Sequence, residues 1–145
     1  MMTRSADRTA KQAAKRADDL FRAARDIRTR AYAPYSNFPV GVALRTKDGA
    51  VHTGCNVENA SYPEGACAET GAISAMVAAG GGRIVELCIV AGGERLISPC
   101  GGCRQRIAEF GGPETVVHCA DPDGIRGSYT LGELLPSAFA LGGKS

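Results

Sequence analysis

Residues 67–82 read CAETGAISAMVAAGGG and residues 83–120 continue RIVELCIVAGGERLISPCGGCRQRIAEFGGPETVVHCA. Cys67 opens a helix of small residues that is predicted to run through Ala79, where Gly80, Gly81 and Gly82 stop it because successive glycines carry a heavy entropic cost in a helix. Leu87 to Ala91 is a short apolar run with the length of a buried strand. Pro99 precedes a second short helix, from about Gly102 to Phe110, which Gly111-Gly112 ends, and Thr115 to Ala120 forms the next strand.

Upstream of this run, apolar residues alternate with others from Val40 to Leu44, Asp48-Gly49 offers a tight turn, and Val51 to Cys55 resumes an extended pattern. These segments predict a hairpin. Further back, Ala13, Ala17, Leu20, Phe21, Ala24, Ile27 and Ala31 recur at three and four positions, which places an apolar stripe along one long helix whose Arg and Lys residues form a solvated face balanced by Asp18, Asp19 and Asp26. Downstream, Asp121-Pro122-Asp123-Gly124 is a turn signal, Ser128 to Thr130 is extended, and Leu131 to Leu135 is briefly helical before a glycine-rich tail. Helices alternating with strands after an opening hairpin predict an α/β fold, a three-layer α-β-α sandwich around a mixed sheet of about five strands. The length of 145 residues suits one domain spanning 1–145, with no internal repeat or low-complexity linker.

A net charge of +2 with both signs interspersed provides no field for a nucleic acid or an anionic membrane, so a small-molecule partner is expected. No apolar run has the length to cross a bilayer, and the segment from Thr3 to Arg30 is highly charged and lacks a signal-peptide core, which predicts a cytoplasmic protein. Six cysteines in such a compartment are not read as three disulfides. Cys88 and Cys119 lie in apolar, strand-like surroundings and read as small buried residues, and His118 lacks the further ligands at suitable spacing that a second metal site would require.

Cys67, Cys100 and Cys103 are a different matter. Zinc in a catalytic site takes three protein ligands and keeps its fourth position for water, whose pKa falls to about 7. Three cysteines match that count, and Glu69, two residues after the first, is a carboxylate placed to move protons. A Cys-x-x-Cys pair at a helix start is equally a redox dithiol or half of a structural zinc knuckle. A dithiol needs no third cysteine, however, and a closed zinc site needs a fourth ligand, for which Cys55 and His52 are the nearby candidates. Helix N-termini carry partial positive charge, so cysteines placed there are stabilised as thiolates.

Cys67-Ala68-Glu69 and Pro99-Cys100-Gly101-Gly102-Cys103-Arg104-Gln105 together resemble the paired signature of the short, three-cysteine zinc-dependent cytidine deaminases. The similarity extends through Ala31-Tyr32-Ala33-Pro34-Tyr35-Ser36-Asn37-Phe38, Gly54-Cys55-Asn56-Val57-Glu58-Asn59-Ala60-Ser61-Tyr62 and Glu133-Leu134-Leu135-Pro136-Ser137-Ala138-Phe139. It implies Cys67, Cys100 and Cys103 as ligands of Zn2+ and Glu69 as the general acid and base. It also implies Asn56 and Glu58 at the ribose, Phe38 packed on the pyrimidine, and backbone groups of Ala68, Ser98 and Cys100 at the base edge. A homotetramer with shared active sites follows from the same resemblance, with Ala60, Tyr62 and Phe139 reaching a neighbouring subunit's site. The implied reaction is hydrolytic deamination of cytidine and deoxycytidine in pyrimidine salvage. Deaminases of blasticidin-type antibiotics share the zinc signature, but Asn56 to Ser61 matches the ribonucleoside-binding form. A non-catalytic zinc module is the alternative from another class.

One departure from the family pattern stands out. Many three-cysteine members carry Arg directly after the catalytic Glu, where it hydrogen-bonds to the thiolates; this chain has Thr70. The excess negative charge must then be offset by the Thr70 hydroxyl, by Arg104 or by another basic group.

Overall fold

Alternation along Val40–Thr46, strand β1, sets the two faces of the sheet. Val42 and Leu44 turn to one side and Ala43 to the other, as a period of two requires. The computed structural model describes residues 3–142, so the end of the glycine-rich tail lies outside the described residues. Strand β1 pairs antiparallel with both β2 (Val51–Cys55) and β3 (Ile84–Ala91), β3 runs parallel to β4 (Val116–Asp121), and β4 turns back into antiparallel β5 (Gly124–Thr130). The order across the sheet is β2-β1-β3-β4-β5. This is the mixed five-stranded sheet expected from the sequence.

Helices cover both faces. Helix α1 (Arg4–Arg28) sets Leu20, Phe21 and Ala24 against Ala43, Cys88, Val90 and Ala120. On the opposite face, α2 (Ala68–Ala78) and α3 (Gly101–Phe110) contribute Ala68, Ala72, Ile73, Met76 and Ile107 to a core with Val42, Leu44, Leu87, Ile89, Val117 and Cys119. A short α4 (Leu131–Leu134), held by a Thr130–Glu133 capping box, closes this side with Leu131. Two glycines let the helices come close. A Cβ on Gly41 would lie 2.1 Å from the Ala24 carbonyl oxygen of α1, and one on Gly54 would lie 2.2 Å from the Ala72 nitrogen of α2.

The structure departs from the sequence reading in several places: α1 ends at Arg28, before Ala31, and β3 begins at Ile84 rather than Leu87. The stripe on α1 is buried only at Leu20, Phe21 and Ala24, while Ala13 is exposed. A helix of 25 residues is about 37 Å long, more than strands of five to eight residues can cover, so its first turns extend past the sheet. Strand β5 begins at Gly124 rather than near Ser128, because the ladder to β4 supplies an order that Gly-Ile-Arg-Gly has little intrinsic tendency to adopt. Cys88 and Cys119 are fully buried, as expected. His118 faces away from Cys119: its Nδ1 lies 2.7 Å from Ser128 Oγ and its Nε2 lies 2.7 Å from Glu86 Oε1, so it belongs to a cross-strand polar network. No helix among the described residues is long and apolar enough to cross a membrane.

Candidate active site

Cys67 and Cys100 are the N-cap residues of α2 and α3, each in extended conformation. An N-cap residue sits beside the unpaired N–H groups of the first turn and the positive end of the helix dipole. Because both helices start on the same side of the sheet, residues 33 positions apart in sequence converge. The sulfurs of Cys67, Cys100 and Cys103 all lie within 4.8 Å of one another, with Cys103 buried and the other two exposed.

Burial raises the Cys67 and Cys103 thiols above their ordinary range; like charge from Glu69 and a neighbouring sulfur adds to this, while at Cys67 a hydrogen bond with the Cys103 thiol acts against it. Burial also opposes ionisation of Cys100. Hydrogen bonds from the Cys103 backbone N–H and from the Cys103 and Cys67 thiols outweigh it, and Cys100 titrates below its usual value. Three thiols this close do not ionise together without a cation among them. Sulfurs around a tetrahedral zinc ion with bonds of about 2.3 Å stand roughly 3.8 Å apart, so the cluster fits zinc with a small inward movement. Among the described residues the cluster contains these three cysteines and no fourth His, Cys, Asp or Glu. His52 and Cys55 on β2 stay outside it, which leaves one position for water and speaks against a closed structural site.

Glu69 is 5 % exposed, on the first turn of α2. Burial lifts its carboxyl above the usual range, while its own backbone N–H, the Cys103 thiol and the Arg106 charge act in the opposite direction. A cavity of about 460 Å³ opens beside it, lined by Phe38, Asn56, Glu58, Ala68 and Ser98 together with Cys67, Glu69 and Cys100. That volume lies in the range of sites for small organic ligands. Five of the eight substrate-contact candidates thus share one cavity with the sulfurs and the buried carboxylate. Tyr62 lines a second cavity of about 450 Å³, which shares Ser36, Asn56, Glu58 and Cys67 with the first. Ala60 and Phe139 line neither; Phe139 is 70 % exposed and Tyr62 75 %.

The segment carrying Asn56 and Glu58 is extended, as the alternate spacing requires. It is held on one side by Tyr32 N to Asn56 O at 3.0 Å and Glu58 N to Tyr32 O at 2.8 Å, and on the other by paired bonds between Val57 and Ala66. The Asn56 amide donates to Phe38 O at 2.9 Å and accepts from Val40 N at 2.8 Å, so it fixes the strand that carries Phe38. Glu58 Oε1 accepts from Tyr35 N at 3.0 Å and Ser36 N at 3.1 Å, and hydrogen bonding, led by the Ser36 hydroxyl, holds its carboxyl below the ordinary range. An N–H and a lone pair on Asn56 remain for a ligand. Asn37, with φ 54°, turns the chain just before Phe38, a conformation Asn tolerates better than most residues.

The cytidine and deoxycytidylate deaminase zinc-binding region matches residues 14–119. A cytidine deaminase of Mycobacterium tuberculosis is 46 % identical over 112 residues, covering 77 % of this chain and 80 % of that protein. The chain belongs to the cytidine deaminase family. A cytidine deaminase of Sporosarcina psychrophila is 41 % identical over 123 residues, covering 85 % of this chain and 90 % of the relative. Among solved structures, cytidine deaminase from Burkholderia pseudomallei superposes with a TM-score of 0.79 at 45 % identity, covering 84 % of this chain and 98 % of that one. The family's metal, zinc, is the one the three-thiol cluster suits.

Two arginines follow Cys103, at spacings of one and three. Arg104 donates to Pro99 O at 2.8 Å, Leu134 O at 2.7 Å and Ser98 Oγ at 3.0 Å, so it tethers the loop before α3 to the C-terminal segment. Arg106 approaches Cys103 itself, with Nη1 3.9 Å from Sγ. Its spacing of three from a ligand on a predicted helix is the signal that marks it.

Proposed function

We propose that this chain is a zinc-dependent hydrolase that converts cytidine and deoxycytidine to uridine and deoxyuridine with release of ammonia, a step of pyrimidine salvage in the cytoplasm. The observation that carries this reading is the buried Glu69 carboxyl beside a three-sulfur cluster in a cavity of nucleoside size. Cys67, Cys100 and Cys103 would hold the metal. Bound zinc supplies a water acidic enough to ionise near neutral pH.

Glu69 takes a proton from the attacking water and delivers it to N3 of the pyrimidine as the C4–O bond forms. It then carries the remaining hydroxyl proton to the departing amino group, and C4 becomes the carbonyl of uridine. Its burial favours the protonated form between these transfers. Phe38 packs on the pyrimidine, Asn56 and Glu58 bind the ribose hydroxyls, and backbone groups of Ala68, Ser98 and Cys100 read the base edge. Large apolar side chains left in water support a shared assembly. Tyr62 and Phe139 are mostly exposed, and we assign them, with Ala60, to the active site of a neighbouring subunit in a homotetramer.

The test is loss of the ultraviolet absorbance of cytidine, followed with and without chelator, in the parent and in Glu69→Gln. The parent should contain zinc and lose activity to the chelator. The variant should keep its zinc and fold while turnover falls by at least about 10²–10⁴-fold, the usual weight of a positioned acid-base group. Activity in Glu69→Gln within ten-fold of the parent would refute the assignment.

A further inference from the structure

We infer that Arg106 supplies the positive charge that stabilises this chain's zinc thiolates, acting as a positioning residue through Cys103. The inference rests on the zinc reading of the three thiols. Three thiolates and one divalent ion leave a net charge of −1, and Glu69 adds another negative charge whenever it is ionised. Cys103 is fully buried, so its sulfur cannot rely on water to spread that charge, and a charge-assisted hydrogen bond from a guanidinium takes that part.

Thr70, the residue beside Glu69, is uncharged. Arg104, the nearest arginine in sequence to Cys103, is committed to Pro99 O, Leu134 O and Ser98 Oγ. Among the described residues, Arg106 is the arginine that reaches a cysteine sulfur, one turn along α3, with Nη1 3.9 Å from Cys103 Sγ. The second of the two glycines between Cys100 and Cys103 makes room for it. A Cβ on Gly102 would stand 3.2 Å from Arg106 Nη1, closer than side chains ordinarily pack. The outer side of Arg106 is exposed on α3, which makes its effect sensitive to salt.

The experiment titrates the zinc-loaded parent, Arg106→Gln and Arg106→Lys with a chromophoric chelator at low and high ionic strength, after thermal unfolding has identified which variants are folded. Removing a partner that hydrogen-bonds to a metal ligand weakens metal binding by about ten-fold or more. Arg106→Gln should lose about ten-fold in zinc affinity at low salt, Arg106→Lys should recover part of it, and the gap should narrow at high salt. In the cobalt-substituted protein, the thiolate-to-metal charge-transfer band of Arg106→Gln should move to lower energy, a readout that a merely structural role would not move. Zinc affinity in folded Arg106→Gln within two-fold of the parent, with the band unmoved, overturns the inference and leaves the zinc reading intact. A parent that purifies and remains without zinc overturns both.

Discussion

Replacing Asn56 by alanine removes two hydrogen bonds that stand in for a strand partner along residues 38–40. The Phe38 carbonyl loses its donor at 2.9 Å and the Val40 N–H its acceptor at 2.8 Å, in a half-buried setting where water replaces them poorly. Each such bond contributes about 1 kcal/mol net, and a backbone group left unpaired costs more, so the loss should be about 2–3 kcal/mol. For a chain of this length that corresponds to a fall in Tm of about 6–12 °C. Scanning calorimetry at matched protein concentration measures it, since assembly contributes to apparent stability. Because Phe38 lies on the freed segment and in the cavity wall, KM for cytidine should rise more than kcat falls.

Asn56→Asp provides the control. It keeps an acceptor for Val40 N but turns a second carboxylate oxygen toward the Phe38 carbonyl. At pH 7 it should therefore be at least as unstable as Asn56→Ala, and it should recover as acid protonates the new carboxyl and restores a donor. If Asn56→Ala unfolds within 2 °C of the parent, the amide does not hold this wall and the reasoning fails.

Other consequences are as direct. Glu86 accepts from His118 at 2.7 Å and lies 3.7 Å from Arg45 Nε, and its carboxyl titrates below the ordinary range, first through the His118 hydrogen bond and then, against burial, through the charges of His118 and Arg45. A depressed carboxyl stabilises the fold above the unfolded value of about 4.3 and loses that contribution as pH falls through the lower folded value. Glu86→Gln should thus cost about 1–2 kcal/mol in urea unfolding at pH 7 and progressively less toward pH 3; a gap independent of pH would refute this. Light scattering should give four times the chain mass, and Phe139→Ser should raise KM for cytidine while zinc content stays unchanged. A monomer at micromolar concentration with full activity would rule out shared sites.

Much of the site can be read from the chain alone. Cys67 precedes a small-residue helical segment and Cys100 a short helix that opens with two glycines, and the features that place a cysteine at a helix start are local: extended backbone at the cap, a helical run after it, and glycines to end it. Alternation in β1 and the apolar run of β3 mark strands for the same reason, since side-chain period is a property of a few consecutive residues. The whole-chain resemblance added roles for Asn56, Glu58 and Phe38, whose side-chain types alone read equally well as loop, surface and core.

Long-range packing fixed the rest. That the starts of α2 and α3 meet follows from the order β2-β1-β3-β4-β5 and from both helices lying on one face. How much of α1 is buried depends on the length of the strands beneath it, and β5 gains its first residues from a ladder with β4 rather than from its own composition. Arg104 and Arg106 are two positions apart and alike in chemistry. One is tied to the backbone of Pro99 and Leu134 and the other points at a buried sulfur. A helix turns by about 100° per residue, so residues two apart face different neighbours, and what stands there is set by segments distant in sequence.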